Sequence, residues 1–293
     1  MKLSAAGAAQ PKLGIYKVEQ IEVAYPPLAT QRRIASILSA YDDLIENNTR
    51  RIAILEEMAR SIYEEWFVRF RFPGHEQVKM VESELGLIPE GWKVVAASDA
   101  LTINPKVRIP KEGMKPFVPM GSLSENSMLL TDIEEREGNS GSKFQNGDTL
   151  FARITPCLEN GKTGFVQFLS SSDAVAFGST EFIVLRSRTL CPEYVYVLAR
   201  SDEFRANAIK SMSGATGRQR VKEACFDSFL LAQPCSETLQ RYREIVSPMF
   251  AMIKNLASKN ANLRVTRDLL LPKLISGELD VSTLPEPEEA IAA

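Results

Sequence analysis

The sequence predicts an α+β protein: one globular domain set between two long helices that pair as an antiparallel coiled coil. Three observations predict it. Apolar residues recur at alternating steps of three and four from Leu38 to Trp66. The same pattern returns 208 positions later. Between the two copies the texture changes to short β-branched and aromatic runs broken by Gly, Pro, Asn and Ser.

The first stripe is Leu38, Tyr41, Ile45, Asn48, Ile52, Leu55, Ala59, Ile62 and Trp66, which share one side of a helix. Adding 208 to each number gives Val246, Met249, Ile253, Leu256, Asn260, Leu263, Arg267, Leu270 and Leu274, seven of them apolar. Two segments with one period and one register are an internal repeat. Each copy follows a proline-bearing lead-in, Y25-P-P-L-A-T-Q-R-R-I and A232-Q-P-C-S-E-T-L-Q-R. Pro26, Pro27 and Pro234 cannot continue a strand ladder and keep their predecessors extended, so each marks chain leaving a globular unit and entering a helix. Ser236 is the expected N-cap of the second helix, with Glu237 favoured near its positive end. Pro272 is expected to end or kink that helix, and Gly277 to stop it. The two long helices are thus placed at 27–72 and 236–280. An N-terminal segment (1–26) and a flexible acidic tail (281–293) flank them.

A stripe this narrow is not satisfied by one helix in water. The two helices could pack separately on a globular core or pair with one another. Asn48 and Asn260, one polar residue in each stripe, favour pairing, because a lone seam polar residue costs stability but fixes register. Arg32, Arg33, Arg50, Arg51, Glu56 and Glu57 are expected on a solvated face, which could also meet partner proteins. The domain between the helices, residues 82–234, is expected to fold independently of the seam. Its strands are read at W92-K-V-V-A, F117-V-P-M, D148-T-L-F-A-R, T163-G-F-V-Q-F-L and E181-F-I-V-L-R. A helix is read from E193-Y-V-Y-V-L-A-R200 on through F204-R-A-N-A-I-K.

Composition excludes several function classes. No apolar run approaches the ~20 residues that span a bilayer, and the N-terminus lacks the apolar core of a secretion signal, so a cytoplasmic protein is expected. Cys157, Cys191, Cys225 and Cys235 are scattered, without metal-ligand spacing, so reduced structural thiols and no metal or cofactor are expected. His75 is the only histidine and lies in the Pro-Gly-bearing stretch R71-F-P-G-H-E-Q77, where a solvated turn is the reading. Net charge is −2, so any nucleic-acid surface must be local.

Two stretches could touch phosphate. In N160-G-K-T163 the first glycine of a nucleotide-binding loop is replaced by Pro156 and a strand follows, so a basic hairpin loop with Lys162 exposed at its tip is expected. In S213-G-A-T-G-R-Q-R-V-K222 two glycines free the backbone, and three cations and a glutamine follow. Arginine can grip guanine bidentately, glutamine can read adenine, and lysine neutralises phosphate. An ordinary glycine loop with solvated charges is the competing reading. The candidate DNA contacts are Arg218, Gln219, Arg220 and Lys222, with Lys143, Arg153, Asn160 and Lys162 on neighbouring loops.

The ordered set of segments resembles the specificity subunit of a type I restriction-modification system. The residues that carry the resemblance are the Y25-P-P-L-A-T-Q-R-R-I lead-in, the helix through L44-I-E-N-N-T-R-R-I-A-I-L-E-E-M-A-R-S-I-Y-E-E-W-F67 and E84-L-G-L-I-P-E-G-W92. The loop G214-A-T-G-R-Q-R-V221 and the terminal L269-L-L-P-K-L-I-S-G-E-L279 complete it. The resemblance implies a non-catalytic adaptor. Residues 82–234 would be a target recognition domain reading double-stranded DNA, the helices a spacer, and the methyltransferase and restriction subunits its partners. No [ND]-P-P-[YF] methylation motif is present, since Y25-P-P-L has a different order. Full-length members resemble two recognition domains alternating with two helices. Here one domain accompanies both helices, and Ile15 to Tyr25 reads as the last strand of a missing preceding domain. Two copies could restore the arrangement as a head-to-tail self-dimer. The alternatives are a coiled-coil assembly protein whose middle domain binds protein and a self-contained DNA-modifying enzyme.

Overall fold

A computed structural model describes residues 15–21, 25–215 and 217–284. The chain divides into two compact units, Met1–Glu46 with Ala261–Ala293, and Asn47–Asn260. The helices are α1 (Ile15–Glu19), α2 (Leu28–Tyr63), α3 (Ala97–Ala100), α4 (Pro192–Arg200), α5 (Asp202–Lys210) and α6 (Ser236–Ser276). The strands are β1 (Met80–Ser83), β2 (Gly86–Pro89), β3 (Lys93–Ala96), β4 (Leu101–Ile103), β5 (Lys115–Val118), β6 (Glu134–Arg136), β7 (Ser142–Phe144), β8 (Thr149–Ala152), β9 (Thr163–Phe165), β10 (Ala176–Gly178), β11 (Phe182–Ser187) and β12 (Leu230–Gln233).

In the first unit, Ile34, Leu274 and Val281 form a small buried cluster with Ile37, Leu38 and Leu270 packed against it. Arg267, the polar member of the second stripe, donates to Asp42 at 2.5 Å. Position 34 meets 274 while 42 meets 267, so the chains run in opposite directions here. Three expectations change. Ile15–Glu19 is a turn of helix where a strand was predicted. Pro272 does not end α6, which runs on to Ser276 and stops at Gly277, whose φ of 77° lies in the left-handed region that glycine adopts at little cost. Val281, assigned to a flexible tail, is buried; residues 285–293 of that tail lie outside the described residues.

In the second unit, Asn48 faces Asn260 and Trp66 faces Tyr242. One number rises by 18 as the other falls by 18, which is an antiparallel pair. Ile52, Ala59, Val246, Ile253, Leu256 and Asn260 are all buried, as their places in the stripes require. Helix α2 begins at the Pro27 carbonyl, which accepts from the Gln31 amide, while the Gln31 side chain donates to the Pro26 carbonyl. For α6 the capping position belongs to Cys235, whose carbonyl accepts the first helical bond from Leu239, and not to Ser236.

The end of α2 becomes a π-helical turn, Glu64–Val68, that inserts Trp66 and Phe67 into the domain. Phe67 packs edge-on to Tyr194 and Tyr242 at 4.7 and 4.9 Å. The Arg71 amide reaches back to the Glu65 carbonyl around Phe70, which holds a positive φ of 57° and sets its ring against Trp92. The domain itself has two four-stranded sheets, ordered β6-β5-β10-β7 and β4-β11-β8-β9. Successive side chains on a strand point to opposite faces. Thus Leu150, Phe182 and Val184 enter the cluster shared with Val118 and Phe144 of the other sheet. Phe151, Ile183 and Leu185 enter the cluster shared with α4, the end of α2 and the start of α6. Strands β8 and β11 are covered on both faces, which is why they read as unbroken apolar runs. Ile52 belongs to that same cluster, so the seam and the domain share a core, where independent folding of the domain was expected.

Candidate nucleic-acid interface

The loop singled out in the sequence is built onto the edge of the β8–β11 pair. Ala152 pairs with Phe182, so the next step of the ladder brings the Arg153 amide to the Glu181 carbonyl at 3.0 Å. Residues 219–221 then run alongside 153–155. Val221 donates to the Arg153 carbonyl, the Thr155 amide donates to the Gln219 carbonyl at 3.1 Å, and Ile154 bridges Arg220. The Gln219 amide donates to Thr155 Oγ1 at 3.1 Å. Ser213 and Arg220 exchange both backbone bonds, at 3.0 and 2.9 Å, which ties the two ends of the loop together. Gly214 (φ 129°) is required there, because a Cβ would stand 3.1 Å from the Arg218 carbonyl oxygen in a conformation other residues rarely adopt. The loop is therefore a backbone-anchored feature.

Its side chains divide into two groups. Arg218 and Lys222 are exposed and, among the described residues, have no side-chain partner. Arg220 is committed on one edge: Nε donates to Glu181 Oε2 at 2.8 Å and Nη2 to Glu181 Oε1 at 2.5 Å. That contact holds the Glu181 carboxyl below its usual range and raises the Arg220 guanidinium. Arg153 is three-quarters buried, with Nη1 on Glu223 at 3.2 Å and Nη2 on the Val221 carbonyl at 3.2 Å. Its two terminal nitrogens hold the loop, so it braces the surface more than it presents charge.

Not every candidate joins this surface. Lys143 sits on β7 in the other sheet, opposite Phe177, with Nζ near the Gly141 carbonyl. Asn160 donates to Glu125 at 3.0 Å and lines a separate polar cleft with Glu56, Arg60, Arg200 and Arg205. Lys162 is half-buried at the base of its loop, its carbonyl accepting from Ala152, and is not the exposed tip that was expected. The tip carries Glu159 and Asn160. Glu56, expected on the solvated face, turns inward and accepts from Ser127 Oγ at 2.7 Å and the Met128 amide at 3.1 Å. Burial raises its carboxyl above the usual range. Glu181 and Glu223 were not foreseen. They stand 39 and 70 positions from the arginines they hold, and no spacing in the sequence links them.

Among the described residues no group of three His, Cys, Asp or Glu side chains could hold a metal ion, and no helix is long and apolar enough to cross a membrane. His75 sits in a short 3-10 turn with Nδ1 against the Phe72 carbonyl.

A family model described as the type I restriction modification DNA specificity domain matches residues 1–57. Along nearly its whole length, 97%, the chain is 26% identical to the MjaIX type I restriction enzyme specificity subunit of Methanocaldococcus jannaschii, of which it covers 66%. The chain is similar to type I restriction enzyme specificity subunits. Over half of its length it is also 31% identical to the EcoEI specificity subunit of Escherichia coli, covering 26% of that protein. The chain thus spans less than two thirds of the length of these relatives. The solved structure of a type I restriction-modification S subunit from M. genitalium shares the fold, with a TM-score of 0.51 over 94% of this chain and 68% of that one at 14% identity. The family match falls on the N-terminal segment and α2, and the loop at 213–222 lies outside it.

Proposed function

We propose that this chain is a specificity subunit of a type I restriction-modification system, a non-catalytic, cytoplasmic DNA reader: residues 82–234 recognise one part of a double-stranded DNA site. The helix pair holds the methyltransferase and restriction subunits that supply the chemistry. The observation that carries the reading is the anchored loop 213–222. It holds Arg218, Arg220 and Lys222 at the surface of a chain whose net charge is only −2. Cations on a fixed backbone are what phosphate positioning and base readout require. The helices supply the second half of the reading. Ile54 of α2 is 58% exposed, and Val265, Leu269 and Ile275 of α6 are 60, 62 and 59% exposed. Apolar residues in such positions suit a partner protein that covers them.

Co-expression with a type I methyltransferase subunit, followed by mapping of methylated sites in the host DNA, tests the reading. A discrete sequence should become methylated only when the chain is present. No chain-dependent methylation would overturn it. The same map separates a monomer from the self-dimer: identical domains on a two-fold axis read identical half-sites, so a dimer yields a spaced palindrome and a monomer an asymmetric element. Arg218→Ala and Lys222→Ala in the assembled complex should each lower the slope of log affinity against log salt by about one. Unchanged slopes in both would take these two side chains off the DNA.

A further inference from the structure

We infer that Glu181 makes Arg220 a reader of guanine and not a clamp on phosphate. The inference rests on the DNA-reading function proposed above and deepens it to one residue pair and one base. A guanidinium has five N–H donors on two usable edges. Glu181 occupies the edge formed by Nε and Nη2, at 2.8 and 2.5 Å. The edge formed by Nη1 and the second hydrogen of Nη2 has no partner among the described residues, and the Arg220 side chain is 49% exposed. This edge is the one that fits the O6 and N7 acceptors of guanine in the major groove.

Two features argue that the pair is built for a base. Glu181 is itself fixed: its side chain is only 21% exposed, and its backbone carbonyl is bonded to the Arg153 amide. The backbone of Arg220 is fixed too, by its exchange with Ser213 and its bridge to Ile154. A guanidinium held at both ends loses little freedom when it meets a planar acceptor pair. The carboxylate also repels a phosphate that approaches the outer edge, whereas guanine offers neutral acceptors. A lone cation serves phosphate better, and Arg218 and Lys222 are such cations nearby. The loop would then divide its labour, with Arg220 reading sequence and its neighbours holding the backbone.

The test uses the full chain assembled with its methyltransferase subunit and a randomised duplex library, with the enriched sequences counted for wild type, Arg220→Lys, Arg220→Ala and Glu181→Gln. Wild type should enrich a guanine at one position, and Arg220→Lys should lose that preference by about 5- to 150-fold, the range of one good bidentate contact. Lysine keeps the charge and loses the fork, so the loss reports geometry. Glu181→Gln should weaken the same position and no other, while the salt slope grows steeper by up to about one as the arginine, no longer neutralised by a carboxylate, becomes a phosphate contact. Thermal melting of each variant shows whether it is folded, and Arg220→Lys keeps the test open if Glu181→Gln is not. Wild-type preferences in Arg220→Lys, or a salt slope lowered by about one in Arg220→Ala, would make Arg220 a phosphate contact and overturn the inference. A wild-type complex that enriches no sequence would instead overturn the DNA-reading function itself, so the two failures differ.

Discussion

The asparagine pair in the helix seam offers a test in which the less buried residue should matter more. Asn48 Nδ2 donates to Asn260 Oδ1 at 2.9 Å, and Asn260 Nδ2 donates to Thr49 Oγ1 at 3.2 Å. Asn260 is 3% exposed, whereas Asn48 is half-buried. Replacing Asn48 with Leu takes one donor away from a buried acceptor, a cost of about 1–3 kcal/mol. Replacing Asn260 with Leu frees an Asn48 amide that can turn to water, so only the net value of the bonds is lost, about 0.5–1.5 kcal/mol. The double variant removes the buried polar groups together and should return close to wild-type stability. The coupling in the cycle is therefore about 1.5–4.5 kcal/mol, well above the ~0.5 kcal/mol scatter of independent sites. Urea unfolding followed by far-ultraviolet circular dichroism measures all four proteins. Additive single effects would refute the account, and so would a larger cost at Asn260 than at Asn48. A stable double variant whose helices slip in register, read by a disulfide trap across the seam, would show what the asparagines contribute in place of stability.

Asp148 is 1% exposed and is held by Arg186 at 2.6 and 2.7 Å and by the Gln145 amide at 2.7 Å. Arg186→Ala leaves that carboxylate buried without its counter-ion, and should cost about 3–5 kcal/mol, read as a fall in the melting midpoint; a loss under about 1 kcal/mol would mean that water reaches the site. Ile52→Asp places a charge in the cluster that also holds Phe151 and Ile183, so the second unit should lose stability as a whole. Amides of β8 and β11 that keep wild-type hydrogen-exchange protection in that variant would separate the seam from the domain core.

The two helices, their period, their stripes and their antiparallel partnership were legible because a helix repeats every 3.6 residues and a buried stripe must repeat with it. The strands of the domain were legible for a similar reason: β8 and β11 are covered on both faces, so Thr149–Ala152 and Phe182–Ser187 announce themselves as short apolar runs. The glycine loop was legible from composition, because only Gly214 among the standard residues suits its backbone angle at little cost. What stayed hidden is what depends on long-range approach. Lys162 and Asn160 are neighbours of a glycine in the sequence, yet chain folding turns one to the base of its loop and the other toward Glu125. Pro272 lacks the amide of an ordinary helical residue, yet the helix continues through it, carrying Leu274 into the cluster with Ile34. Glu181 and Glu223 are unremarkable in the sequence and become partners of Arg220 and Arg153 only once the β8–β11 ladder is formed. Periodicity is a property of neighbours along the chain and is written there. Which edge of an arginine faces solvent depends on a carboxylate 39 residues away, and the tertiary structure decided that.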